Sequence, residues 1–337
     1  MRILVVQPIP ETALKLLRDV AEVEVYPHTD RMISKDELIA RVKHADILFT
    51  LGEVTVDAEV MDANHGLQLI AAMTKAPGTV DISAATARGI PVTNVSAYLG
   101  DATCDLAMAH MLGLATRLVE ADHATRAGQF RQEYSMFFLT TAFSRKTLGL
   151  IGLGRIGEGV ARRARAFDLR VIYSKRNRLD DERERELGIQ FSPLDDLLRQ
   201  SDFVSIHCPY HEATHHLIGE REFSLMKPTS FLVNTARGRI VDEQALISAL
   251  RSGRIAGAGL DVYPNEPPFG EPRPNPELFK LDNVILTPHI GSATRETRER
   301  MATDCAKNVL AVLGGQRPPD LLNPEAYAVR AARKPTH

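Results

Sequence analysis

Residues 148–157 read Leu148-Gly149-Leu150-Ile151-Gly152-Leu153-Gly154-Arg155-Ile156-Gly157, an apolar strand followed by a glycine-rich turn. In a G-x-G-x-x-G pattern of this kind, the first glycine permits a tight turn and the second lets backbone approach a pyrophosphate. The third permits close packing of the next helix, whose N-terminus attracts an anion. The stretch predicts a dinucleotide-binding strand-turn-helix unit, and the alternative is a glycine turn with a structural role alone.

Apolar runs recur on both sides of this stretch, with helical patterns between them. Before it they occupy residues 3–6, 23–26, 47–49, 67–71 and 92–93. After it they occupy residues 171–173, 203–207, 231–234, 257–262 and 284–287. Continuous apolar strands that alternate with helices are typical of parallel sheets covered on both faces. In a chain of 337 residues, they predict an α/β protein with two Rossmann-like or flavodoxin-like parallel-sheet domains and a cleft between them.

The boundaries of the two domains follow from the helical patterns. A long pattern at 101–126 predicts one bridging helix, and an irregular linker follows at 128–145. A last helix at 294–313 is expected to return to the first domain, and the tail beyond Gly314 is predicted to be extended. We therefore predict a discontinuous substrate domain of residues 1–98 plus 292–337, and a Rossmann NAD(P)-binding domain of residues 99–291.

Composition favours a small-molecule partner over nucleic acid or a membrane. Charged residues make up 25% of the chain and nearly cancel, at a formal net charge of -2. The N-terminus lacks a signal-peptide pattern, so we expect a cytoplasmic protein. The three cysteines contain no C-x-x-C pair, which argues against a disulfide framework. His207, His211 and His215 are spaced like metal ligands on a helix, but Pro209 interrupts a helix there, and we predict no metal site.

Three reactive side chains, Arg237, Glu266 and His289, stand at or just after apolar strands of the second series. Open α/β sheets bind their ligands at these strand ends. A guanidinium holds a carboxylate bidentately, and an imidazole oriented by a carboxylate supplies a proton near neutral pH. The combination suits hydride transfer to a 2-oxo acid. From spacing alone, surface ion pairs or satisfied strand-end residues stay open as alternatives.

The chain from Ile3 to Leu313 resembles the D-isomer-specific 2-hydroxyacid dehydrogenase family. The resemblance rests on residues 152–157, 232–238, 259–262 with Glu266 and Pro267, and 287–293. It implies that Arg237 binds the substrate carboxylate, that His289 is the acid/base and that Glu266 is its partner. It also implies a homodimer formed through the bridging-helix region. Residues 173–176 and 288–294 are similar to the glyoxylate/hydroxypyruvate reductase branch, so glyoxylate or hydroxypyruvate is the expected substrate.

The glycine motif and the resemblance together give the expected cofactor-binding residues. These are Thr103, Gly152, Gly154, Arg155, Ile156, Gly157, Ser174, Lys175, Arg176, His207, Pro209, Thr214, Thr235, Ala236, Asp261 and Gly291. An acid about 20 residues after the motif would repel a 2′-phosphate, but Ser174, Lys175 and Arg176 occupy that place. Because cations attract the phosphate, with Arg178 adding charge nearby, NADP is the predicted preference and NAD the second cofactor. The alternative is a solvated charged loop.

The chain departs from the family at residues 74–81, where members usually have a glycine-rich loop whose amides hold the carboxylate. Pro77 cannot donate an N–H group, whereas Lys75 adds a cation, as in phosphite dehydrogenases of the same family. We expect substrate contacts from Leu51, Lys75, Ala76 and Arg237. Two alternatives stay open: a phosphite dehydrogenase, and a non-catalytic NAD(H)-sensing protein similar to the corepressors that resemble this family.

Overall fold

The computed structural model describes residues 1–75, 78–95, 100–130, 136–266 and 274–333. Within them the chain divides into two units, one within Met1–Leu99 and Ala293–His337 and the other within Gly100–Glu266 and Glu271–Ser292. The domain boundaries expected from the sequence remain a proposal, and residues 98 and 99 lie outside the described residues.

The strands and helices are numbered in chain order. The strands are β1 Arg2–Val5, β2 Glu22–Val25, β3 Ile47–Thr50, β4 Leu69–Ala72, β5 Val92–Thr93, β6 Thr147–Ile151, β7 Arg170–Ser174, β8 Ile189–Phe191, β9 Phe203–Ile206, β10 Phe231–Asn234, β11 Gly257–Leu260 and β12 Val284–Leu286. The helices are α1 Glu11–Arg18, α2 Lys35–Val42, α3 Ala58–Asp62, α4 Ile82–Ala87, α5 Gly100–Ala115, α6 Leu118–Arg126, α7 Arg155–Ala166, α8 Asp181–Leu187, α9 Leu194–Gln200, α10 Glu220–Leu225, α11 Glu243–Arg251, α12 Arg295–Leu313 and α13 Glu325–Arg333. None of these helices, in the part of the chain described, is both long and apolar enough to cross a membrane.

Each unit contains one sheet with parallel pairing between its strands. The first sheet has the order β2-β1-β3-β4-β5, which is that of flavodoxin-like folds. The second has the order β12-β11-β10-β9-β6-β7-β8, which is the Rossmann order with one further strand. The predicted fold class, two parallel-sheet α/β domains, is confirmed. In the second sheet the strand order reverses between β6 and β9, and ligands bind at such a switch point.

The last long helix, α12, belongs to the core of the first unit. Its side chains Met301, Cys305 and Val309 are buried in the same apolar cluster as strands β1, β3 and β4. Thr294 caps the helix, since its hydroxyl accepts a hydrogen bond from the N–H of Thr297. Helix α12 therefore packs into the apolar core of the first unit.

The bridging segment is not the single helix expected at 101–126. It consists of α5 and α6, and Arg117 between them adopts a left-handed conformation with a φ of 51°. A residue with this left-handed backbone interrupts a right-handed α-helix. The guanidinium of Arg117 is bound by Glu120 and donates to the carbonyl of Leu139, which holds the break in place.

The tail beyond Gly314 is not simply extended, because residues 325–333 form helix α13. Asn323, which is buried and lies just before this helix, binds the tail to the backbone around strand β5. Its Oδ1 accepts from the N–H of Val92 at 2.7 Å, and its Nδ2 donates to the carbonyl of Ile90 at 3.0 Å. The N–H of Leu322 also donates to the carbonyl of Val92 at 2.9 Å, so the Asn323 side chain and the tail backbone together supply partners on the outer side of edge strand β5.

We expect Asn323→Leu to lower the free energy of unfolding by about 2 to 4 kcal/mol, since it leaves a buried N–H and a buried carbonyl without partners. Urea denaturation followed by circular dichroism measures the change. Gln316→Leu, an exposed amide of the same tail, is the matched control and should change the free energy by less than about 0.5 kcal/mol. Equal effects of the two substitutions would contradict this role for Asn323.

Candidate active site

Five neighbouring strands of the second sheet each end at a residue of the candidate site. Since the strands are parallel, their carboxyl ends lie on one edge of the sheet. The residues that follow β6, β9, β10, β11 and β12 are Gly152, His207, Thr235, Asp261 and Thr287.

The glycine turn has the geometry that dinucleotide binding requires. Gly152 has a φ of 89°, and a Cβ there would lie 2.5 Å from the N of Cys208, so no other residue fits. A Cβ at Gly157 would lie 2.7 Å from the carbonyl oxygen of Gly152. At Gly154, by contrast, no described atom lies within 4 Å of that position, and no side chain caps the N-terminus of α7. Arg155 and Ile156 open this helix, so the turn leaves room for an anion beside the N-terminus of the helix.

The hydroxyl of Thr235 is a second sign of a bound group. It is buried, and no protein atom of the described residues hydrogen-bonds it. Buried hydroxyls normally have a partner. Ala236, the next residue, has its N–H bound to the Oδ1 of Asn234 at 3.0 Å. The residues at this edge fit a pyridine dinucleotide, whose phosphate and sugar oxygens suit both the helix N-terminus and the hydroxyl.

The segment after β9 is fixed by local bonds. The Nε2 of His207 lies 2.9 Å from the hydroxyl of Ser205. Burial lowers the pKa of His207 to about 4, so its ring is neutral at physiological pH. The hydroxyl of Thr214 donates to the carbonyl of Pro209 at 2.9 Å and accepts from the N–H of His211. These three expected cofactor-binding residues form one ordered turn beside the glycine motif.

The loop after β7 begins beside the glycine turn, because the carbonyl of Ser174 accepts from the N–H of Gly152 at 2.9 Å. Arg178, expected to add positive charge for a phosphate, instead binds the carboxylate of Glu184 at 2.8 Å. Its charge is compensated by this neighbour. Lys175 and Arg176 take part in no ion pair within the described ranges, and the side chain of Arg176 is exposed. The uncompensated cations of the loop are these two.

The structure brings Glu266 and His289 together. The Nδ1 of His289 lies 2.6 Å from the Oε2 of Glu266, whose Oε1 accepts from the N–H of Tyr263 at 2.8 Å. The hydrogen bond to Glu266 raises the pKa of His289 above its ordinary value, while burial and the nearby charge of Arg237 act against the rise. Since Glu266 engages Nδ1, the nitrogen that can exchange a proton with a substrate is Nε2.

Asp261 holds the loop that carries His289. Its Oδ1 accepts from the hydroxyl of Thr287 at 2.6 Å and from the N–H of Ile290 at 2.8 Å. Its Oδ2 accepts from the N–H of Gly291 at 2.9 Å, and the carbonyl of Gly291 accepts from the hydroxyl of Thr103. Between these anchors His289 has a φ of 52°, a backbone conformation that residues other than glycine rarely adopt unless the surroundings hold it.

Arg237 projects from a turn that the sequence fixes on both sides. Before it, the Nδ2 of Asn234 donates to the carbonyl of Arg237 at 2.9 Å. After it, Gly238 packs so closely that a Cβ there would lie 2.0 Å from the backbone carbon of Tyr263. The guanidinium is exposed. The turn therefore presents the cation at the edge of the sheet that also carries His289.

The expected substrate residues Leu51 and Lys75 lie in the first unit. Leu51 directly follows β3 and is buried, whereas Lys75 follows the neighbouring strand β4 and is exposed. The carbonyl of Lys75 accepts from the Nδ2 of Asn94 at 2.8 Å. Ala76, the other residue expected there, and Pro77 lie outside the described residues.

Sequence reasoning did not assign a role to Thr287 or to Tyr263. The pairing of β11 with β12 brings Thr287 beside Asp261, because the N–H of Thr287 donates to the carbonyl of Leu260. Tyr263 is buried, and its hydroxyl donates to the carbonyl of Thr287 at 2.9 Å. The sequence did contain one signal for this contact: Asp261 and Thr287 lie at the ends of two predicted strands that are consecutive in the chain.

Comparison with known proteins shows the family of the chain. The family model for the D-isomer specific 2-hydroxyacid dehydrogenase, NAD binding domain, matches residues 108–291. A glyoxylate reductase of Thermococcus gammatolerans is 45% identical over 333 residues, 98% of either chain. A solved protein of Thermus thermophilus has a TM-score of 0.88 at 42% identity, covering 96% of this chain and 100% of that one. A solved NADPH-dependent glyoxylate/hydroxypyruvate reductase of Sinorhizobium meliloti has a TM-score of 0.80 at 30% identity, with coverages of 96% and 98%.

The chain belongs to the D-isomer specific 2-hydroxyacid dehydrogenase family, as the sequence motifs predicted. It is an oxidoreductase that uses a pyridine nucleotide cofactor.

We expect Glu266→Gln to lower the pKa of His289, since an amide cannot supply the negative charge that favours the protonated ring. Proton NMR titration measures the change, with the His289 resonance assigned by its loss in His289→Asn. Glu220→Gln, which removes an exposed carboxylate from helix α10 of the same unit, should leave the pKa of His289 where it was. A pKa of His289 that Glu266→Gln left unchanged would contradict the contribution of this carboxylate.

Proposed function

We propose that the enzyme reduces glyoxylate or hydroxypyruvate to the corresponding 2-hydroxy acid, D-glycerate in the second case, with NADPH as the preferred cofactor. The observation that carries the proposal is the 2.6 Å contact between Glu266 and His289 at the sheet edge that carries the glycine turn. The relatives named glyoxylate reductase support the choice of substrate. Small 2-oxo acids also suit a site with one acid/base and one exposed guanidinium.

The residues divide the chemistry between them. The reduced nicotinamide, when bound, supplies a hydride to the carbonyl carbon of the substrate. Arg237 binds the substrate carboxylate through paired N–H donors and so orients the carbonyl. His289 donates the proton on Nε2 to the carbonyl oxygen as the C–O bond becomes single. Glu266 holds Nδ1 and keeps the ring protonated before the transfer.

We propose that Leu51, Lys75 and Ala76 are substrate-binding residues. Leu51 and Lys75 follow neighbouring parallel strands, so they share one edge of that sheet. The exposed ammonium of Lys75 favours an anion. For this reason phosphite, a dianion that favours cations, is the second candidate substrate. Phosphite comes after the 2-oxo acids as a candidate because Lys75 alone favours it.

We also propose a homodimer and a cytoplasmic location. Exposed apolar side chains near α6 and β12 support the dimer, among them Leu118, Val119 and Phe279. Val119 and Phe279 line a cavity of about 540 Å³. Exposed apolar patches commonly mark interaction sites. The cytoplasmic location stays a prediction from the sequence.

We expect the reduction of glyoxylate and hydroxypyruvate by NADPH to exceed both the reduction of pyruvate by NADPH and the oxidation of phosphite by NADP+. His289→Ala should lower kcat about 10²- to 10⁴-fold, because the proton donor acts in the transition state. The same variant should bind NADPH normally. Steady-state kinetics and a fluorescence titration of NADPH measure the two effects.

Each outcome of this panel distinguishes one hypothesis. Turnover of phosphite above both 2-oxo acids would favour the second candidate substrate. NADPH binding without turnover of any compound would favour the cofactor-sensing protein. A His289→Ala variant with normal kcat, measured where the chemical step limits the rate, would exclude His289 as the proton donor.

We expect NADPH to be preferred over NADH in kcat/KM by roughly 10- to 1000-fold, because charge-assisted hydrogen bonds to the 2′-phosphate contribute about 1.5 to 3 kcal/mol each. Arg176→Ala should remove much of the preference. Arg185→Ala, an exposed arginine of helix α8, is the matched control and should retain it at the same ionic strength. Preference for NADH in the unmodified enzyme would refute the proposal, and an unchanged preference in Arg176→Ala would transfer the role to Lys175.

A further inference from the structure

A buried histidine lies behind the candidate site, and the mechanism above does not use it. His110 stands on helix α5, and only 2% of it is exposed. Its Nε2 lies 3.0 Å from the hydroxyl oxygen of Thr287. That hydroxyl in turn lies 2.6 Å from the Oδ1 of Asp261. A chain of two contacts therefore links His110 to the carboxylate that holds the His289 loop.

The chain of contacts fixes the direction of its protons. A threonine hydroxyl has one proton, and the ionised carboxylate of Asp261 has none to give. The hydroxyl of Thr287 must therefore donate to Asp261, and its oxygen must accept from His110. It follows that the Nε2 of His110 carries a proton, and the surroundings of Nδ1 decide whether that nitrogen carries one too.

The surroundings of Nδ1 suit this tautomer. The Nδ1 of His110 is buried and has no hydrogen-bond partner among the described residues. It lies against Gly259 of strand β11, where a Cβ would be 2.4 Å away. Burial lowers the pKa of His110, and the charge of Asp261 opposes this only in part. A second proton on the ring would lack an acceptor, so the neutral form persists.

We propose that His110 is a positioning residue, which donates from Nε2 to Thr287 and so directs the Thr287 hydroxyl toward the Asp261 carboxylate beneath the His289 loop. The hydroxyl could otherwise rotate toward another acceptor, leaving Oδ1 with the N–H of Ile290 alone. His289 is held in a left-handed conformation, with a φ of 52°. A loop under such backbone strain depends on its anchors, and a looser loop delivers the proton less often. The proposal rests on the assignment of His289 as proton donor.

A double-mutant cycle between His110 and Thr287 tests the connection. His110→Leu, which replaces the imidazole by an apolar side chain of similar bulk, should lower kcat about 5- to 30-fold. The KM for glyoxylate and the Kd for NADPH should change less than about twofold, because neither Arg237 nor the glycine turn is touched. In a Thr287→Val background, which has no hydroxyl to direct, His110→Leu should change kcat less than about twofold.

Two further variants separate positioning from loss of packing. His110→Gln can donate from its Nε2 and should recover part of the lost kcat. Met111→Leu, a buried apolar neighbour on the same helix, is the matched control and should leave kcat unchanged. Equal losses from His110→Leu in both backgrounds, or a lower Tm without any change in kcat, would overturn the proposal.

A measurement without turnover distinguishes this proposal from the proposed reaction. Long-range proton-nitrogen NMR on histidine-labelled protein reports which ring nitrogen of His110 carries the proton, and we expect Nε2 with Nδ1 unprotonated. A proton on Nδ1 would overturn the hydrogen-bond chain even in a fully active enzyme. If the protein had the expected tautomer but reduced none of the tested acids, the hydrogen bonds from His110 to Asp261 would be supported and the proposed reduction of 2-oxo acids would be refuted.

Discussion

The buried carboxylate of Asp261 is the anchor on which the rest of the site depends. A carboxylate that is only 1% exposed to water needs strong donors, since burying an unpaired charge is costly. Asp261 obtains three of them from one short segment, the hydroxyl of Thr287 and the amides of Ile290 and Gly291. Because the buried carboxylate needs these donors, the loop follows a path that brings them to it. That path determines where His289 lies.

Close backbone packing transmits this order to the neighbouring strand ends. Gly238 touches the backbone of Tyr263, so the turn that carries Arg237 cannot move away from the segment that carries Glu266 without opening a gap. Tyr263 itself donates from its N–H to Glu266 and from its hydroxyl to the carbonyl of Thr287. His289, Glu266 and Arg237 are thus held by segments that follow three adjacent strands, and the sheet sets their spacing.

The sequence predicted those parts of the molecule whose information is local. Apolar runs located every strand except β8, whose three residues include the exposed Gln190 and so form no apolar run. The glycine turn was recognisable because its spacing directly follows the apolar run of strand β6. The break at Arg117 was missed because its left-handed backbone is stabilised by the carbonyl of Leu139, which is distant in the sequence. The docked tail was missed for the same reason, since Asn323 binds the backbone of Ile90 and Val92. The charge of Arg178 was counted for the cofactor because its partner Glu184 lies on a helix whose packing no local pattern reveals.

The return of helix α12 to the first unit has a consequence for how the protein is made. Its residues Met301, Cys305 and Val309 fill the core around β1, β3 and β4. During synthesis these strands leave the ribosome first, and the whole second unit is translated before their covering helix exists. At about 5 to 20 residues per second, the delay is on the order of ten seconds or more. For that time the nascent first sheet has an apolar face without its final cover, so this is the stage at which chaperones have the most to protect.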